Sequence, residues 1–153
     1  MAAALHYGVL RRTYWAGWTG AAFGNPLTRL VNRLAQVATI DLGCAGLSSP
    51  AFGAAVLRRG QKLVWFAEGE RSPTGSPQPF KPGVGMLLSY YPVPVVPVLI
   101  SGTYEAMPRR RLAQVAVTFG ELLASRDLDR SAGQQEQIVQ TVRERVAELG
   151  ERQ

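Results

Sequence analysis

Between Lys62 and Ile100 the chain reads K-L-V-W-F-A, a charged loop broken by prolines, an apolar run of helix length, and V-P-V-V-P-V-L-I. This stretch limits the fold more than any other. Lys62–Ala67 is a short apolar run rich in β-formers, which suits a strand covered on both faces. Upstream, Leu47–Arg59 reads as a helix ended by Gly60, with Arg58 and Arg59 in its last turn where the helix dipole favours cations. Val37–Ile40 before it reads as another strand. A strand, a helix and a strand of this length make a crossover unit, and crossovers of this kind join parallel strands. The expected fold class is α/β, with a central, mostly parallel sheet flanked by helices.

The segment from Glu68 to Gly83 is the candidate site, because α/β folds bind ligands beyond the carboxyl ends of their strands. Gly69 permits a positive φ or close approach of a ligand to the backbone. Arg71 offers a planar fork of donors matched to phosphate. Ser72 adds a hydroxyl or caps the residues after it. Pro73, Gly75, Pro77 and Pro79 keep the next residues out of helix and strand. Lys81 then precedes Gly83–Tyr91, a short helix whose first amides can face an anion. One Arg, one Lys and a helix amino end fit a phosphate monoester. Read from the residues alone, an ion pair of Glu68 or Glu70 with Arg71 across a tight turn explains the charges equally well.

The remaining elements follow from local pattern. Met1–Gly8 reads as the tail of a helix ended by Gly8, and Val9–Ala16 as a strand. Trp18–Gln36 reads as helix in two pieces broken at Asn25-Pro26, with Leu27, Leu30, Val31 and Leu34 on one face of the second piece. Trp15, Trp18 and Phe23 read as core, as the lining of an apolar groove, or as a membrane contact. Val93–Ile100 is a strand that Pro94 and Pro97 make irregular or place at an edge. Ser101–Met107 is a turn, Val115–Phe119 a last strand, and residues 131–150 an amphipathic terminal helix with Ile138, Val142, Val146 and Leu149 on one face.

The 153 residues are expected to form a single domain. Cys44 is the only cysteine, so no internal disulfide is possible. The net charge of +6 is uneven: before Gly60 there is one acid, Asp41, against Arg11, Arg12, Arg29, Arg33, Arg58 and Arg59. Such a surface favours anionic lipid or phosphate-bearing ligands. Arg109, Arg110 and Arg111 read as a solvated turn or a contact for lipid headgroups. No platform of aromatic and basic residues stands out, so nucleic acid is not an expected partner. No apolar run reaches the roughly 20 residues of a spanning helix, so any membrane contact is expected to be peripheral.

F-A-E-G-E-R-S-P-T-G, then P-F-K-P-G-V-G, then V-P-V-V-P-V-L-I-S-G-T-Y resemble, in this order, the third and fourth motifs of the glycerolipid acyltransferases, the lysophosphatidate acyltransferase family. The resemblance runs from about Arg11 to Gly120, with Ala67 where the family usually has proline. It implies that Arg71, Ser72 and Lys81 bind the phosphate of the acceptor and that Glu68, Gly69 and Gly83 shape the acceptor site. It implies an acyl chain passing from coenzyme A or acyl carrier protein, as co-substrate, to a lysophospholipid or glycerol phosphate. Neither a cofactor nor a metal is implied. The expected location is cytoplasmic, peripheral at the inner face of the membrane.

Beyond Ala67, two further positions depart from the family pattern. Leu42 stands where an Arg that helps hold phosphate is common. The family's base is the His of His-x-x-x-x-Asp, but the one histidine here, His6, is followed five residues on by Arg11. The expectation is that His6 is non-catalytic, that no catalytic residue lies in the chain, and that the motif belongs just upstream of Met1. The loop's flavour also resembles acyltransferase domains joined behind an AMP-forming acyl-activating domain. A catalytically inactive lipid-binding or acyl-binding module that has lost its base, or a gene fragment, is the alternative.

Overall fold

The computed structural model of the chain describes residues 6–18, 37–40, 48–70, 72–106, 114–128 and 134–151. Helix α1, Tyr7–Leu10, is a single turn capped by His6, whose Nδ1 accepts the Gly8 N–H at 3.2 Å. Gly8 therefore lies inside a helical turn rather than ending one. Strand β1 is Thr13–Trp18, beginning later than the expected Val9. The reason is local: the Arg12 N–H and the buried Thr13 hydroxyl both donate to the Val9 carbonyl, at 3.0 and 2.7 Å, which commits Val9 to the turn.

Strand β1 is the centre of a three-stranded sheet. Val37–Ile40 (β2) pairs with it on one side and Lys62–Trp65 (β3) on the other, both parallel. Trp15 faces Val37 in one register and Val64 in the other. Helix α2, Ser48–Arg58, crosses over to β3. It ends as its sequence indicated. Gly60 takes φ +65°, and the Gly60 and Gln61 amides donate to the Leu57 and Val56 carbonyls, which closes the helix in a Schellman turn.

Helix α3, Gly83–Tyr90, packs against α2 and against the terminal helix α5, Gln135–Glu151. Close approach depends on small residues. A Cβ at Gly53 of α2 would lie 2.7 Å from Leu87 Cδ2, and one at Gly85 of α3 would collide with the Gln135 carbonyl of α5. The core lies here: Val84 and Leu88 of α3 meet Ile138 and Val142 of α5 and Leu123 and Leu128 before it, with Trp65, Ala67 and Phe80 packed alongside. Ile138, Val142 and Leu149 are buried on one face of α5, as their spacing requires, and Val146 is partly buried.

The second half departs from one continuous parallel sheet. Strand β4 is Val98–Ser101 and β5 is Ala116–Phe119, and they pair antiparallel in a sheet of their own among the described residues. Ahead of β4 the pairing is broken: Val95 makes an isolated bridge to Leu123 and the Pro97 carbonyl accepts the Gly120 N–H, while Pro94 and Pro97 have no N–H to donate. Strand β3 likewise stops at Trp65, two residues before the expected Ala67. A one-turn helix, α4 (Thr103–Ala106), occupies the expected turn after β4. Trp18 is the last residue of β1 rather than the start of a helix. The helices expected over 19–36, together with Asp41, Leu42, Cys44, Arg71, Arg109–Arg111 and the first residues of the 131–150 helix, lie outside the described residues.

Candidate functional site

The loop leaves the carboxyl end of β3 in a tight turn. The Gly69 N–H donates to the Phe66 carbonyl at 3.0 Å, and Gly69 takes φ +78°, a conformation that any larger residue adopts only with strain. That turn ends β3 early. Phe66 is thrown outward and is exposed, while Ala67 tucks against the core. The loop then runs through its Pro, Gly and Ser residues and returns. The Lys81 N–H donates to the Ala67 carbonyl at 2.7 Å, and Phe80 beside it packs on the core. Loop base and loop end are thus clamped by one hydrogen bond and two apolar anchors.

This return brings together residues that are far apart in sequence. The Lys81 stem crosses Gly69, where an added Cβ would sit 3.1 Å from Lys81 Cγ. Lys81 Nζ lies 3.7 Å from Glu70 Oε1, with the two side chains 61% and 67% exposed. The loop's described ion pair is therefore Glu70–Lys81. Such an exposed pair contributes at most ~1 kcal/mol and yields readily to a competing anion. Arg71 lies outside the described residues, so neither its proposed phosphate contact nor a pair with Glu68 or Glu70 is placed.

Glu68 is partly buried, and desolvation pushes its carboxyl above the ordinary value of 4.5, partly offset by the Gln78 backbone N–H, which favours the carboxylate. Ser72 is taken up within the loop. Its Oγ accepts the Thr74 N–H at 3.3 Å and Gln78 Nε2 at 3.4 Å, so it holds the loop's shape. Gly83 opens α3 two residues after Lys81, and an added Cβ there would touch Trp65 Cζ2 at 3.4 Å. The amino end of α3 has Pro82 at its cap position and no side-chain cap. Glu68, Gly69, Lys81 and Gly83 therefore gather at the junction of β3 and α3, with Ser72 farther out on the loop.

His6 is exposed and its Nδ1 is used as the cap of α1. No cluster of three His, Cys, Asp or Glu side chains that could hold a metal occurs among the described residues. An open apolar groove of about 200 Å³ lies between α2 and α3, lined by Pro50, Ala51, Ala54, Met86, Leu87, Tyr90 and Tyr91 and not by Trp15. Sequence reasoning missed this groove, and it missed the Glu70–Lys81 pair and the role of Gln78. The prolines and glycines mark the loop, but nothing in it marks where the chain comes back.

A family model described as Acyltransferase matches residues 1–101. The fold resembles the crystal structure of the 1-acyl-sn-glycerophosphate (LPA) acyltransferase PlsC from Thermotoga maritima, with a TM-score of 0.66 and 22% identity over 91% of this chain. The matched part is 57% of that protein's length, and at this identity the likeness concerns the fold. No curated protein matches the chain.

Proposed function

The chain belongs to the acyltransferase family, and we propose that it carries the acceptor half of a glycerolipid acyltransferase site. The observation that supports this most is the return of Lys81 to Gly69 at the amino end of α3. There a phosphate monoester meets an ammonium group and the first amides of a helix, two features that each favour a doubly charged anion. Lys81 exchanges its exposed carboxylate partner for the phosphate, Arg71 adds a second cation, and Ser72 holds the intervening turn. Glu68, Gly69 and Gly83 shape the space for the glycerol. The apolar groove along α3 begins at Pro50, which lies beside Gly83, and takes an acyl chain.

The acceptor is a lysophospholipid or glycerol phosphate, and the donor is an acyl thioester of coenzyme A or acyl carrier protein. The acceptor oxygen attacks the thioester carbonyl, the new ester forms, and the thiol leaves with the proton. The proton must pass through a base, and His6 is unsuited because its Nδ1 is engaged and Arg11 occupies the position a partner carboxylate would need. A base carried on a His-x-x-x-x-Asp segment would complete the site. No described helix is long and apolar enough to cross a membrane. We place the protein at the cytoplasmic face, held peripherally. Arg11, Arg12, Arg58, Arg59 and Lys62 are all exposed, and no described residue before Glu68 is acidic. These cations sit at the amino ends of β1 and β3, the pole opposite the loop, so they attract the protein to an anionic surface without marking the face that meets lipid.

Titration of the chain with glycerol 3-phosphate tests the reading. Saturable binding is expected, weakened about tenfold by Lys81→Ala, the scale of one charge-assisted hydrogen bond. Equal affinity of the two proteins overturns the assignment of Lys81. Transfer from an acyl thioester is expected once a His-x-x-x-x-Asp segment is joined in frame ahead of Met1. A folded fusion that binds the acceptor and transfers nothing overturns the enzymatic reading.

A further inference from the structure

The motif loop has a second anchor, supplied by the tyrosine that closes the V-P-V-V-P-V-L-I-S-G-T-Y stretch. At its tip, Gly75 takes φ +83°, and a Cβ built there would lie 3.1 Å from Tyr104 Cγ and 3.2 Å from Tyr104 Cδ1. The ring therefore rests directly against the Gly75 backbone. Tyr104 is carried by α4, the single turn that follows β4. Its position is fixed from behind, because Gly102 takes φ +79° with its Cα pressed against the Gln114 carbonyl, leaving no space for a side chain. On the other side of the contact, the tip is braced by its own hydrogen bonds. The Thr74 N–H donates to Ser72 Oγ at 3.3 Å, the Ser76 N–H to Thr74 Oγ1 at 3.4 Å, and Gln78 Nε2 to the Ser76 carbonyl at 3.0 Å. The loop is thus pinned at its base by Lys81 on Ala67 and at its tip by Tyr104 on Gly75.

We propose that Tyr104 is a positioning residue for the acceptor site: by holding the tip of the Phe66–Lys81 loop against the end of β4, it fixes where Ser72 and the returning Lys81 stand. This rests on the reading of that loop as the phosphate site. The contact is made by the ring and the backbone, since a glycine has no side chain to offer. The hydroxyl is not needed for it, and Phe should serve where Ala fails. A loop with one anchor samples many positions of its far arm, and a ligand must then bear the cost of ordering it.

Two measurements on the intact chain test this. Hydrogen exchange of the amides at 74, 76 and 78 is expected to quicken in Tyr104→Ala and stay at the wild-type rate in Tyr104→Phe, with amides of α3 and α5 unchanged in both. Glycerol 3-phosphate affinity is expected to fall about fivefold in Tyr104→Ala and to be restored in Tyr104→Phe, the size typical of coupling between residues in contact. Gly75→Ala, which pushes the ring away, should add less to Tyr104→Ala than it costs alone. Unchanged loop exchange in Tyr104→Ala overturns the anchor. Quickened exchange with unchanged affinity overturns the positioning role. If the wild-type chain binds no glycerol 3-phosphate, the acceptor reading falls and takes the positioning role with it, while the exchange rates alone decide whether Tyr104 anchors the loop.

Discussion

Gly85→Ala tests whether the site is held by the contact between α3 and α5. The position is buried, and a Cβ there would sit 2.7 Å from Val139 Cγ2, well inside the 3.4 Å at which ordinary contact begins, and nearer still to the Gln135 carbonyl. Val139 can turn away. The carbonyl belongs to the backbone of α5 and cannot, so the two helices must separate. Overpacking of this kind costs ~1–3 kcal/mol, and a backbone obstacle puts it in the upper part of that range. Alanine regains about 1 kcal/mol over glycine inside a helix. The net expectation is a loss of ~1–2 kcal/mol, which lowers the urea midpoint by roughly 0.5–1 M at the slopes typical of small proteins. Equilibrium urea unfolding followed by circular dichroism reads this directly. The displacement should also reach the site, because Gly83 and Lys81 lie at the amino end of the same helix. A midpoint at or above that of wild type would refute the close packing and the claim that α5 sets the position of α3.

Two further outcomes are expected from the same core and loop. Ile138 is 1% exposed at the centre of the cluster, so Ile138→Ala should cost ~2–5 kcal/mol, and a loss below that measured for Val146→Ala, at a partly buried position, would contradict the placement of the core. Glu68 is a carboxyl whose folded pKa is raised by desolvation. The folded state therefore holds the proton more tightly, and stability falls as pH rises from the ordinary value of 4.5 through the folded one. In Glu68→Gln that part of the slope should vanish and stability at neutral pH should be no lower than wild type. A variant less stable at pH 7 with the slope intact would show that the carboxylate is held by favourable contacts instead.

Features set by neighbours in sequence were legible, and features set by distant neighbours were not. The Schellman end of α2 needed only Gly60 after a basic last turn. The parallel pairing of β1 with β2 and β3 needed only strands separated by crossover-length segments. Pro94 and Pro97 announced an irregular stretch, which the lone Val95–Leu123 bridge bears out. By contrast, apolar Val9 and Leu10 look the same in a strand or a helical turn. The Thr13 hydroxyl and the Arg12 N–H, both reaching back to the Val9 carbonyl, favour the turn. Phe66 and Ala67 look like strand until the Gly69 N–H returns to Phe66. Strand β4 takes an antiparallel partner, β5, outside the parallel sheet, and nothing in its own residues announces that partner's direction.

The same division runs through the candidate site. Nothing in the sequence pairs Glu70 with Lys81, yet its carboxylate lies beside that ammonium, which the loop carries back across Gly69. Gly69 and Gly75 both take positive φ, and the sequence marks both as permissive positions without saying what each admits. At Gly69 it is the stem of Lys81, and at Gly75 the ring of Tyr104. Each glycine is thus half of a contact whose other half comes from a later segment. A substitution at the glycine and one at its partner should therefore be coupled. That coupling, more than the motif letters, specifies where the loop's charges stand.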